Sequence, residues 1–224
     1  IPDTNDAAIR SLVNNFSDGF LGPQQAHTLM ELVGIRMPGQ VLVKTEDELF
    51  QAAKILHYPL VQKIVGPLHK SDQKGVIVNV LNDVELIHNF KKLIEIDGVT
   101  GVMIQEMIKG KEVFIGGKRE TGFPPLIMCG AGGIYIEALK DHQSVLAPIG
   151  RAEARNMVSK LKIKPILQGM RGESSCNLEA FYDAIQKVSN LLQLVPEITE
   201  LDLNPLILTE QDIIAVDVRI KIEK

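Results

Sequence analysis

Residues 58–75 read Tyr-Pro-Leu-Val-Gln-Lys-Ile-Val-Gly-Pro-Leu-His-Lys-Ser-Asp-Gln-Lys-Gly, and the fold turns on how this stretch divides. A short apolar run carries a single lysine, Lys63, and reads as a strand. It breaks at Gly66-Pro67 into a loop holding His69, Lys70, Ser71 and Asp72, closed by Gly75. An ammonium group pairs with phosphate oxygens, glycine lets backbone N–H groups approach them, and histidine accepts a proton or a phosphoryl group. Phosphate handling is one reading of this pattern; an ordinary solvated loop between two strands is the other. The Lys70-Ser71 pair invites comparison with a Walker A loop, but His69 stands where that loop needs glycine, which excludes it.

Working outward, residues 40–44 alternate like a short strand. Thr45 followed by Glu48 is a capping-box signal for a helix whose inner face carries Leu49, Ala52, Ala53 and Leu56. On the other side, residues 76–80 are β-branched, and Asp83 is placed to cap a helix running to about Asp97. The order is β-α-β-β-α-β. Before it, Ala26, Leu29, Met30 and Val33 recur at helical spacing from Gly22-Pro23 onward, with Gly34 placed to end the helix. Residues 1–20 are polar and read as a linker or loosely held arm. From Gly101 the texture changes to strands at 102–108, 112–118, 126–129 and 134–139. Helices at 151–161 and 178–194 and closing strands at 198–203 and 213–218 follow. The expected class is α+β, with a small lobe over about 36–104 and a large lobe formed by the rest of 21–224.

Bulk composition narrows the function classes. The 224 residues are 45% hydrophobic and 23% charged, and no apolar run approaches the roughly 20 residues of a bilayer span. A net charge of −4 with scattered basic residues lacks the dense positive face that nucleic-acid binding requires. Cys129 and Cys176 show no metal-ligand spacing, and two cysteines favour a reduced, cytoplasmic setting. Neither a membrane partner nor a nucleic acid is expected. Ile1 in place of methionine suggests a piece of a longer chain or a processed one.

Several stretches can carry chemistry. In Glu200-Leu-Asp-Leu-Asn-Pro-Leu, alternation puts Glu200, Asp202 and Asn204 on one strand face and Leu201 and Leu203 on the other, and Asp217 reads onto the next strand. Such hard oxygen ligands suit magnesium; the same pattern also describes a solvated sheet face. The stretch from Gln105 to Glu112 can offer backbone groups to a flat base and a carboxylate to ribose, or be a plain polar hairpin. Gly130-Ala-Gly-Gly133 is an anion cradle or a tight turn. Arg171 pairs with phosphate or with a neighbouring acid. His27, His57, His88 and His142 lack metal spacing and read as structural or surface residues.

Taken in this order, these stretches resemble the ATP-grasp domain of ADP-forming acyl-CoA (acetyl-CoA) synthetases, relatives of the succinyl-CoA synthetase β subunit. The resemblance runs from about Gly22 to Ile220 and includes Gln168-Gly-Met-Arg-Gly. It implies two α+β lobes that grasp a nucleotide, with ATP/ADP and Mg2+ as cofactors. It further implies Lys63 on the nucleotide phosphates, the hinge Gln105, Glu106 and Ile108 at adenine, Glu112 on ribose, and Asn204 and Asp217, with Asp202 close by, as magnesium ligands. His69 becomes a catalytic relay stop, passing a phosphoryl group between a phosphohistidine of the ligase module and ADP. The CoA-binding and ligase modules are expected on a partner subunit or a missing N-terminal part. Two places depart from the family pattern: Lys74-Gly75-Val76 replaces Gly-Gly-Val, and Phe123-Pro124-Pro125 replaces Phe-Gly-Pro. These departures motivate one alternative, a degenerate regulatory ATP-grasp domain of a protein acetyltransferase-like protein; a succinate–CoA ligase β-like subunit is a further alternative.

Overall fold

The computed structural model describes residues 5–66, 75–133, 140–170 and 174–224. In chain order these residues form α1 (Asp6–Asn14), β1 (Gly19–Phe20), α2 (Pro23–Val33), β2 (Gln40–Val43), α3 (Glu46–Ile55), β3 (Leu60–Val65), β4 (Val76–Val80), α4 (Asp83–Ile94) and β5 (Gly101–Glu106). They continue with β6 (Lys111–Lys118), β7 (Leu126–Ala131), β8 (His142–Leu146), α5 (Arg151–Ser159), α6 (Lys164–Leu167), α7 (Leu178–Leu194), β9 (Ile198–Leu208), β10 (Ile213–Ala215) and β11 (Val218–Ile222). The chain divides into two units, one of Ile1–Met37 with Lys109–Lys224 and one of Pro38–Ile108. Gln105, Glu106 and Ile108 therefore belong to the smaller unit, whose boundary lies a few residues beyond the expected 36–104.

The smaller unit is a four-stranded antiparallel sheet in the order β2-β5-β3-β4. Its core is built by Leu49 and Ala52 of α3 and Leu86, Phe90 and Leu93 of α4, packed on Val43, Leu60, Val80, Val102 and Ile104. Both helices are closed locally. The Thr45 hydroxyl accepts the Glu48 N–H at 3.2 Å, while the Glu48 carboxylate reaches past the cap to Lys44 N–H at 2.6 Å. For α4 the capping residue is Asn82, not Asp83: Asn82 Oδ1 accepts from Glu85 N–H at 3.0 Å, and Asp83 becomes the first helical residue.

The larger unit holds a seven-stranded sheet, β1-β11-β9-β6-β7-β8, with β10 also paired to β9. Phe181, Ile185, Val188 and Leu192 of α7 are buried with Ile115, Ile127, Leu201 and Leu203 of the sheet in one continuous core. The α7 boundaries coincide with the expected helix at 178–194, and Asn177 caps it through Ala180 N–H at 3.1 Å. Gly34 ends α2 in the left-handed region at φ 76, where a side chain would be strained. The expected strand at 134–139 lies outside the described residues.

The N-terminal stretch is not a loose arm. Ile9, Val13 and Phe16 recur at helical spacing and are buried at 1%, 0% and 6% exposure, so α1 closes one flank of the larger core. Arg10 pairs with Glu197 at 2.7 Å, and that bond holds the Glu197 carboxyl below its ordinary range. Beyond α1, β1 pairs with β11. The segment reads as polar because only this narrow stripe faces inward. Ile9→Ala is expected to cost about 2–5 kcal/mol, read from the urea denaturation midpoint; a loss below about 0.5 kcal/mol would return the segment to an arm.

Candidate functional site

The residues singled out in the sequence fall into two groups, one in each unit. In the smaller unit, register decides which way Lys63 points. Lys63 pairs with Met103 on β5 and with Val76 on β4, and Met103 pairs in turn with Leu42 on β2. Alternate residues of a strand face opposite sides, and Gln62 and Ile64 belong to the helix-covered side. Gln62 is fully buried, its Nε2 donating to Leu86 O of α4 at 3.1 Å. Lys63 therefore lies on the sheet face without helices, in a row with Leu42, Met103 and Val76 and beside Val61. Half-buried, it is a cation among apolar neighbours on a face that also carries Gln40 and Gln105.

Where β5 leaves this sheet, the residues that the sequence reading placed at adenine are tightly held. Gln105 is buried and its Nε2 donates to Gln40 Oε1 at 2.9 Å. Glu106 N–H donates to Gly39 O and Met107 N–H to Pro59 O, both at 2.9 Å. The Glu106 carboxylate is not left for a ligand: its Oε1 accepts His57 N–H at 2.9 Å and lies 2.7 Å from His57 Nδ1. Burial pushes this carboxyl up, but the His57 contacts and a Gly39 backbone bond outweigh it and hold the group below the ordinary carboxylate range. Sequence reasoning passed over His57, since its partner lies 49 residues away.

In the larger unit a second group converges on the glycine loop after β7. Gly132 N–H donates to Glu112 O at 2.9 Å, and the Glu112 carboxylate lies directly over the Cα of Gly133, where a side chain would overlap Oε2. Gly133 has φ 60 and turns its N–H towards Asn204 Oδ1 at 3.4 Å. Asn204 N–H donates to Asp217 O at 3.2 Å. Asp217 is not on a strand as expected: it occupies the break between β10 and β11, opposite Asn204. Glu112 and Asn204 thus meet at Gly132 and Gly133, and Asp217 stands opposite Asn204, bonded to it through the main chain.

Asp202 shares the face of Asn204. It stands between Gly116 of β6 and Arg219 of β11. Burial pushes its carboxyl up, Arg219 opposes this, and Asp217 adds to it. Phe20 of β1 lies beneath the Arg219 guanidinium, 4.9 Å from ring centroid to carbon. Glu200 faces Lys118 on one neighbouring strand and Lys221 on the other, an alternating charge row.

Among the described residues no group of three or more His, Cys, Asp or Glu side chains is placed to hold a metal. Two carboxylates and one amide still suit magnesium, which keeps several waters and takes its remaining ligands from phosphates. His69 and Arg171 lie outside the described residues. No helix among the described residues is long and apolar enough to cross a membrane.

A family profile described as an ATP-grasp domain matches residues 13–222. The 4-hydroxybutyrate–CoA ligase (ADP-forming) of Nitrosopumilus maritimus is 41% identical over 198 residues, 84% of this chain and 28% of that protein. The subunit beta of acetate–CoA ligase (ADP-forming) I of Pyrococcus furiosus is 38% identical over 205 residues, 87% of this chain and 88% of that subunit. This chain thus spans less than a third of the first relative and most of the second. Among solved structures, acetyl-coenzyme A synthetase 1 of Ca. Korarchaeum cryptofilum, in complex with coenzyme A and Mg-AMPPCP, superposes with a TM-score of 0.81 at 30% identity. The match covers 96% of this chain and 100% of that one, and that structure has its phosphohistidine segment pointing towards the nucleotide binding site.

Proposed function

The chain belongs to the ATP-grasp family, and we propose on that premise that it is the nucleotide-handling part of an ADP-forming acyl-CoA synthetase. The observation that carries this reading is the meeting of Glu112 and Asn204 at the Gly132–Gly133 backbone, with Asp217 bonded to Asn204 through its main chain. Oxygen ligands and a close-approach glycine loop are what a magnesium–nucleotide complex needs. Support also comes from the relatives, one a separate β subunit and one a longer single chain. CoA-binding and ligase modules would accordingly be supplied by a partner subunit or by further sequence of the same chain.

In the proposed reaction a phosphohistidine gives its phosphoryl group to ADP: the N–P bond breaks, a bond forms to a β-phosphate oxygen of ADP, the imidazole takes up a proton from solvent, and ATP and neutral histidine result. Lys63 neutralises phosphate charge, which matters most as that charge redistributes during transfer. The Glu106–Ile108 main chain receives adenine and Glu112 the ribose hydroxyls. Asn204 and Asp217, with Asp202 nearby, would hold magnesium, which when bound neutralises the phosphate oxygens. His69 is the proposed relay histidine, splitting one long transfer into two short ones.

Calorimetric titration of ADP, with and without magnesium, tests the reading. Binding is expected to tighten with magnesium. In Asp217→Ala the magnesium-supported affinity is expected to fall about tenfold, the weight of one charge-assisted contact of roughly 1.5 kcal/mol. Magnesium-independent binding that Asp217→Ala leaves unchanged would overturn the metal assignment, and absence of ADP binding would overturn the nucleotide-handling role.

A further inference from the structure

The His57–Glu106 contact has a geometry that a chance surface pair would not need. His57 follows the last turn of α3 with its side chain 88% exposed, while the Glu106 side chain is 26% exposed. A single oxygen, Glu106 Oε1, faces both the backbone N–H and Nδ1 of the same histidine, at 2.9 and 2.7 Å. The other oxygen packs against Gly39, lying 3.1 Å from where a Cβ on that glycine would stand, with Leu56 beside it. The Glu106 side chain is thus held through Oε1, with its other oxygen in the space beside Gly39.

The main chain at this point is unevenly satisfied. Glu106 N–H donates to Gly39 O, but no return bond runs from Gly39 N–H to Glu106 O. In a strand the N–H and C=O of one residue point to the same side, so the Glu106 carbonyl is turned that way without this partner. Among the described residues Ile108 N–H has no acceptor. A carbonyl and an N–H two residues apart complement a purine edge with an exocyclic amine and an unprotonated N1. They mismatch an edge with a carbonyl and a protonated N1, which puts acceptor against acceptor and donor against donor.

We propose that His57 is a positioning residue for base selection: by clasping the Glu106 carboxylate, it orients the 106–108 main chain for a 6-amino purine and keeps an anion off the base edge. The inference rests on the hinge reading given above. His57 touches no base; it acts through Glu106.

The test compares ADP with inosine diphosphate, which differs only at that edge, by calorimetry in magnesium with wild type, His57→Ala and His57→Asn. Asparagine places an amide N–H close to where Nδ1 stands, and the exposure of His57 makes both variants compatible with folding. Wild type is expected to prefer ADP at least tenfold. His57→Ala is expected to weaken ADP about five- to tenfold with little change for inosine diphosphate, and His57→Asn to restore ADP binding to within about threefold of wild type. If His57→Ala weakens both nucleotides equally, or neither, the clasp is not selective and the proposal fails. Equal wild-type affinity for both nucleotides would instead defeat the hinge reading itself.

Discussion

Lys63→Met is expected to lower ADP phosphorylation in the complete enzyme by about 10²- to 10³-fold, while the denaturation midpoint of the chain stays near that of wild type. The large effect follows from where the charge sits. Lys63 is the cation in the row formed by Leu42, Met103, Lys63 and Val76, on the face of the smaller sheet that carries no helix. Its stem passes along aliphatic neighbours, and methionine retains most of that contact while removing the ammonium. A preorganised charge beside moving phosphate is worth about 10²- to 10³-fold in rate when deleted. The small effect on stability follows from half-burial and a substitute of similar length. Lys63→Arg is not expected to rescue fully, because a planar fork delivers its donors with a different geometry from a point charge. Single-turnover kinetics separate the outcomes. A fall in the transfer rate supports the charge role, whereas a rise in KM alone would reduce Lys63 to a uniform binding contact.

What the sequence could and could not reveal follows from the range of each interaction. Helix α7 was legible to the residue because its apolar positions recur over 17 residues and Asn177 supplies a local cap. Strands β3 and β4 and the order around them were legible for the same reason, since period and turn residues are local signals. Edge strand β8 was not foreseen: His142, Gln143 and Ser144 give it no apolar run, and it exists because β7 pairs with it. The break that lifts Asp217 off a strand is invisible in the alternation of residues 213–218. It shows only in the pairing, where Asn204 N–H donates to Asp217 O and Val216 N–H to Pro205 O, at neighbouring rather than alternate pairs. Likewise the Glu106 clasp depends on His57, and the charge row of Lys118, Glu200 and Lys221 depends on strand order. Glu200, Asp202 and Asn204 looked equivalent by alternation, yet pairing gives them different neighbours.

Gly132→Ala is expected to abolish measurable nucleotide binding and to destabilise the larger unit by about 3 kcal/mol, at the upper end of what added bulk in a packed site costs. A Cβ at this position would stand 2.5 Å from Val113 O and 2.7 Å from Val113 N and C. Those are main-chain atoms of a strand paired on both sides, to β7 and to β9, so they have no room to yield. The loop must move instead, which breaks the Gly132–Glu112 hydrogen bond and withdraws Gly133 N–H from Asn204. Gly133→Ala meets a different obstacle. Its Cβ would collide with the Glu112 carboxylate, the far end of a flexible side chain, and its φ of 60 adds about 1 kcal/mol of backbone strain. That variant is expected to lose nucleotide affinity by displacing Glu112, yet to cost less stability than Gly132→Ala. Gly150→Ala, where a Cβ meets nothing within 4 Å, is the control for handling and expression. Urea denaturation alongside ADP calorimetry reads both quantities in all three variants. If Gly132→Ala binds ADP like wild type, the glycine loop is a plain turn, and the meeting of Glu112 and Asn204 at it has no part in holding the nucleotide.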